Sequence, residues 1–221
     1  MMRLLIFILV MLFLYIFSSS YLQYDELKDK FNFNIKDCFK ISKQNILLAV
    51  QILLLGIFGY CMFVDLDLDF IGLYKYLIVI TIIFVAVCID VKKQIIPNML
   101  CIILLIVVAL FDCYQILLQI DNAKAFALSF LIGGGAAFII FFISMLVSRG
   151  GIGAGDVKLI TIIGLCVGSA NILNVIFYTL LASFVYSIVM LILRKVKLKD
   201  FIAMAPFIYI GMLVNFIINL M

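Results

Sequence analysis

The chain has 221 residues, 68% of them hydrophobic and 13% charged, with two prolines, no histidine and no tryptophan. A soluble domain is about half apolar and a quarter charged, so this composition cannot coat a water-facing surface and points to a membrane protein. The formal net charge of +4 is scattered along the chain and gives no footprint for nucleic acid. Without histidine, any hydrolytic chemistry falls to carboxylates, cysteines, serines or lysines.

A crossing helix needs roughly 20 apolar residues at about 1.5 Å rise each. Charge-poor runs predict spans over Leu4 to Tyr24, Gln44 to Val64, Phe70 to Ile89 (interrupted by Lys75), Gln94 to Phe111 and Ala125 to Ser148. The run Leu159 to Leu193 is too long for one crossing and divides at Gly168-Ser169-Ala170-Asn171. Phe201 to Met221 closes the series. The expected fold is therefore an all-α polytopic transmembrane bundle of about eight spanning segments, a single integral membrane domain over 1–221. Its short first half after the split, Asp156 to Asn171, measures about 24 Å and must sit inside the bundle or beside thinned bilayer.

Cytoplasmic loops retain lysine and arginine. With eight crossings and 25–43 as a short cytoplasmic loop, the inner side holds all the basic residues except Arg3, Lys75 and Lys124. The outer loops carry Asp65, Asp67, Asp69, Asp112 and Asp121, and both termini face outward. A single crossing by the long run, or a re-entrant dip by its first half, would instead export Arg194 to Lys199. Reading the first segment as a cleaved signal peptide would export the five lysines of 25–43, and Ser18-Ser19-Ser20 lacks the usual cleavage pattern.

Ionisable groups within spans are costly, so each asks for a reason. Asp90 ends the third span and Asp156 begins the sixth, and this topology puts both at the inner membrane boundary. Two close carboxylates share a proton and titrate as a pair. The ionised one takes a proton from water while the protonated one hydrogen-bonds a scissile carbonyl, so peptide hydrolysis proceeds without metal or covalent intermediate. Gly150, Gly151, Gly153 and Gly155 before Asp156 permit positive φ and close approach, so an extended substrate strand can lie there. The competing reading is a simple turn, with Gly151 and Gly155, or Gly164 and Gly168, allowing close helix packing. Pro97 starts the next helix or turns the chain before it.

These residues resemble a known family. Gly-Ile-Gly-Ala-Gly-Asp-Val-Lys-Leu at 151–159 is similar to the G-x-G-D motif of the type IV prepilin peptidases, polytopic membrane aspartic proteases. Asp90 followed by Ile96-Pro97-Asn98 resembles their first catalytic aspartate with its downstream Ile-Pro-Asn or Ile-Pro-Asp. Ala205-Pro206-Phe207 through Gly211 resembles the proline-bearing segment of their last span. The resemblance spans about 80–215. It implies that Asp90 and Asp156 are catalytic, with Gly153, Gly155 and Pro97 shaping the substrate site. It also implies that the substrate is a prepilin or pseudopilin, whose short basic leader is cut at the cytoplasmic face of the inner (plasma) membrane. Many members also N-methylate the product with S-adenosylmethionine and carry two C-x-x-C pairs in the first cytoplasmic loop. Here that loop holds only Cys38, so a peptidase without methyltransferase activity, needing no cofactor, is expected.

Two other readings compete: a transporter with intramembrane acids, which should lie near the midplane on broken helices, and a signal-peptide-peptidase-type protease. The latter's first aspartate typically follows tyrosine, whereas Ile89 precedes Asp90. The six cysteines form no C-x-x-C pair, so no zinc ribbon is signalled. Asp65, Asp67 and Asp69 have the spacing that opens a calcium loop, but Phe70 and Tyr76 stand where glycine and glutamate are needed. Lys158, two positions after Asp156, points away from it on a helix and reads as an interfacial anchor.

Overall fold

The structure is a computed structural model, and it describes residues 11–22, 43–66, 70–118, 120–148, 151–194 and 202–220. Among these residues there is no strand. The helices are α1 (Met11–Leu22), α2 (Lys43–Leu66), α3 (Phe70–Lys93), α4 (Asn98–Leu118), α5 (Ala123–Val147), α6 (Ala154–Ile192) and α7 (Ala205–Leu220), with a 3₁₀ turn at Ile120–Asn122 before α5. Gly72–Lys93, Asn98–Leu118, Ala123–Val147 and Ala154–Ile192 are each long and apolar enough to cross a membrane. The protein is a helical membrane protein. Of the predicted loop 25–43 all but Lys43, which begins α2, lies outside the described residues, as do Asp67 and Asp69.

The chain divides into two compact units, Met1–Cys88 and Ile89–Met221. The first contains α1, α2 and most of α3. Its core includes Leu14, Leu48, Leu77, Ile80 and Ile83, and Ser19 Oγ donates to Asn45 Oδ1 at 3.3 Å. Lys75, which interrupts the third predicted span, lies more than a turn inside α3 and is buried at 2% exposure.

In the second unit α6 packs along α5 and α7 and touches α4, which also touches α5. α5 shows how a helix packs where lipid is as apolar as leucine. Its inward face is Gly133, Gly134, Ala137 and Phe141, while Leu131, Ile139, Ile143 and Leu146 are exposed. Small residues bring backbones together, and that contact rather than water exclusion holds the pair. Gly133 and Gly164 meet so closely that a Cβ on either would overlap the other's backbone. The packing role expected for Gly164 and Gly168 is thus what they perform. α4 runs on through Asp112 to Leu118, so Asp112 is a buried helical residue rather than the outer-loop acid expected.

The long apolar run breaks where its composition suggested. Gly168 takes φ 74°, ψ 179°, a conformation closed to ordinary side chains, and divides α6 into two arms. Ser129 Oγ on α5 accepts the N–H of Ser169 at 3.2 Å and shares a 3.0 Å hydrogen bond with its hydroxyl, capping the second arm from a neighbouring helix. The first arm is nearly all interior: Val157, Leu159, Ile160, Ile162, Ile163, Cys166 and Val167 are buried. This is the setting a segment too short for the bilayer requires. The second arm runs antiparallel to α7, since Tyr186 meets Phe207 (ring centroids 5.2 Å apart) while Gly211 sits against Val175 and Thr179.

Candidate active site

α3 ends just past Asp90. The N–H of Gln94 donates to the Asp90 carbonyl at 2.8 Å, and Gln94 itself turns left-handed (φ 54°), which stops the helix. The chain then passes through Ile96 and Pro97. The Pro97 carbonyl accepts from Leu100 and Cys101 N–H at 3.1 and 3.3 Å, so Pro97 is the turn residue immediately before α4. It is half-buried.

The Asp90 side chain is buried at 4% exposure. Its Oδ2 accepts the N–H of Ala205 at 3.0 Å, and the N–H of Met204 also donates to the carboxylate. These are orphan donors of the first turn of α7. Asp90 thus caps a helix that begins 115 residues later. Sequence reasoning did not find this contact, although a signal was present: residues 201–204 are Phe-Ile-Ala-Met and supply no local capping side chain.

Asp156 lies in the first turn of α6. Gly153 precedes the helix in an extended conformation (φ −75°, ψ 148°), and its N–H donates to Asp156 Oδ2 at 3.2 Å. Its carbonyl receives the N–H groups of Asp156 and Val157. Asp156 Oδ1 is buried and has no hydrogen-bond partner. Leaving a carboxylate oxygen in that condition is costly, so something other than stability accounts for it. Asp90 and Asp156 lie within electrostatic range of one another. The 66-residue separation in sequence is closed by the fold of the second unit.

The expectation of positive φ at the glycines before Asp156 is corrected. Among the described residues Gly168 is the only glycine with positive φ. Gly153 is extended, and Gly155 already belongs to α6. Gly155 is needed for space: a Cβ there would lie 3.0 Å from Ile96 Cβ. Lys158 is likewise more than an interfacial anchor, since its Nζ donates to Asn98 Oδ1 at 2.8 Å. The elements that the sequence motifs mark, 90, 96–98, 153–158 and 204–205, therefore converge at one end of the helices. Because α7 starts there and the second arm of α6 runs antiparallel to α7, both arms of α6 have their outer ends on that side, and Gly168 is the reversal of a hairpin.

No group of three or more His, Cys, Asp or Glu side chains that could hold a metal occurs among the described residues, and Cys88, Cys101, Cys113 and Cys166 form no disulfide. The family model of the type IV leader peptidases matches residues 76–191, just over half of the chain, and takes in Asp90, the Ile-Pro-Asn turn and the whole G-x-G-D segment. The chain belongs to the type IV leader peptidase family. No curated protein and no solved structure matches it. As a type IV leader peptidase family member it is a membrane-embedded hydrolase of peptide bonds. The Gly168 break, a feature shared with broken-helix transporters, has no acidic or basic side chain from Val167 to Asn171.

Proposed function

We propose that this protein is an aspartic endopeptidase that removes the short basic leader of type IV prepilins or pseudopilins, with Asp90 and Asp156 as its catalytic pair. The observation carrying this reading is the pairing itself. Two carboxylates from distant segments interact, each is oriented by main-chain N–H groups, and one oxygen of Asp156 is buried and unengaged. The ionised partner takes a proton from a water, whose oxygen bonds to the scissile carbonyl carbon. The protonated partner hydrogen-bonds and then protonates the carbonyl oxygen. One carboxyl then gives its proton to the amide nitrogen while the other carboxylate takes a proton from a hydroxyl of the gem-diol, so the C–N bond breaks, the carbonyl re-forms and the pair again holds a single shared proton. In this reading Gly153, Gly155 and Pro97 border the substrate site, Gly155 by letting Ile96 close against the start of α6.

The distribution of lysine and arginine supports eight crossings, both termini outside, and a site at the cytoplasmic face of the plasma membrane. Leader cleavage is the sole activity in this reading, since the first cytoplasmic loop lacks paired cysteines; S-adenosylmethionine is then not a cofactor. The test is co-expression of a prepilin with wild type, Asp90→Asn and Asp156→Asn, following leader removal by mass. Either substitution abolishes cleavage while the variant stays in the membrane; cleavage by both removes the mechanism. An added methyl group on the product overturns the peptidase-only reading. A phosphatase fused after residue 221 is active if that end faces outward.

A further inference from the structure

The first turn of α6 is tied to its own N-terminal end through Gly153, whose N–H donates to Asp156 Oδ2 and whose carbonyl accepts from Asp156 and Val157. The first turn of any helix lacks intrahelical acceptors for its N–H groups, and this one follows Gly151 and Gly153. Asp156 and Lys158 are about 200° apart around the helix axis. The Asp156 carboxylate lies within electrostatic range of Asp90, while the Lys158 ammonium, on another face of the helix, donates to Asn98 Oδ1 at 2.8 Å, in the first residue of α4. Beside that bond Ile96, 8% exposed, lies against Gly155, and buried Cys101 is within electrostatic range of both Lys158 and Asp156. A turn of the Ile-Pro-Asn segment thus grips the far side of the helix that carries Asp156.

We propose that the Lys158–Asn98 hydrogen bond is a clamp that fixes the rotation of the first turn of α6 and so sets the angle at which Asp156 meets Asp90. Lys158 and Asn98 are positioning residues. The inference rests on the reading of the two aspartates as the catalytic pair. A rotation of about 20° moves a group roughly 5–6 Å from the helix axis by about 2 Å. Misplacement of about 1 Å already costs on the order of a hundredfold in rate. The exposed bond adds little to stability, so its weight falls on geometry. An aspartate at position 98 would accept the same ammonium, whereas an apolar side chain would not.

The test uses the full chain in proteoliposomes and a synthetic peptide with a basic leader joined to a phenylalanine-led apolar helix. Lys158→Met, Asn98→Leu, their double variant, Asn98→Asp and Lys158→Arg are compared with Asp90→Asn and Asp156→Asn. Lys158→Met and Asn98→Leu each lower kcat by about 10- to 100-fold with KM little changed, and the double variant is no slower than the worse single. Asn98→Asp and Lys158→Arg keep kcat near wild type. Wild-type kcat in Lys158→Met, a loss confined to KM, additive losses in the double variant, or a harmless Asn98→Leu beside an impaired Lys158→Met each overturns the clamp. If Lys158→Met does not insert, the contrast between Asn98→Leu and Asn98→Asp decides alone, and equal rates for those two overturn the clamp. Cleavage by both aspartate variants would overturn the dyad. Dead aspartate variants beside fully active Lys158→Met and Asn98→Leu would overturn the clamp only.

Discussion

Three successive glycines on α5 allow a graded experiment on the helix pair that seats Asp156. A Cβ at Gly133 overlaps the Gly164 carbonyl and lies 2.6 Å from Gly168 C and 2.9 Å from Gly168 Cα. All of these atoms are backbone, so the two helices must part by about 1 Å to reach ordinary contact near 3.5–4.0 Å. Gly133→Ala therefore costs about 1–3 kcal/mol from overpacking, partly offset by a helix-propensity gain of roughly 1 kcal/mol. At Gly134 the obstacle is the Leu165 side chain, 2.6 Å away, which can change rotamer, and the two effects nearly cancel. At Gly135 nothing lies within 4 Å, so only the propensity gain of about 1 kcal/mol remains. For a chain this long, 1 kcal/mol moves the midpoint by about 2–4 °C. Thermal unfolding of the purified variants in one detergent should therefore give the order Gly135→Ala, Gly134→Ala, Gly133→Ala from most to least stable, with wild type below the first. A Gly133→Ala protein as stable as Gly135→Ala would refute the close approach of α5 and α6.

Other substitutions separate chemistry from architecture. Asp90→Asn keeps an oxygen to accept the Ala205 N–H, so it is inactive yet folded, while Asp90→Ala also loses the cap of α7 and unfolds about 1 kcal/mol more easily; equal midpoints would deny the capping role. Ser129→Ala removes the acceptor for Ser169 N–H and lowers stability by about 0.5–2 kcal/mol, measured by denaturant or thermal titration. Gly168→Ala forces a side chain into a left-handed conformation with Ser129 Oγ 2.8 Å from the new methyl, and costs more than Ser129→Ala in the same assay.

What the sequence made legible was whatever depends on local composition. α5 was expected at Ala125 to Ser148 and lies at Ala123–Val147, because a charge-free run bounded by Lys124 and Arg149 has few ways to be read. The break in α6 was also legible, since Gly-Ser-Ala-Asn inside an apolar run weakens the helix locally. What escaped depends on neighbours. Nothing near Ser169 names Ser129 as its cap, and nothing near Ala205 names Asp90. The charge of Asp112 marks the end of an apolar run, yet the fold buries it within α4. The glycines before Asp156 were assigned conformational freedom when their use is mainly spatial, a distinction that needs the position of Ile96.

The hairpin at Gly168 also bears on how the protein is made. Its leading arm, Ala154 to Val167, is about 21 Å long, short of a hydrocarbon layer about 30 Å thick. Such a segment does not insert as a self-sufficient unit; it enters as a pair with the arm that follows, against an α5 already in place. Asp156 reaches its working position only after synthesis has passed the second arm, and Asp90 gains its main-chain donors only when Met204 and Ala205 emerge. On the proposed catalytic role of the two aspartates, proteolytic competence therefore requires the chain to be complete through Ala205.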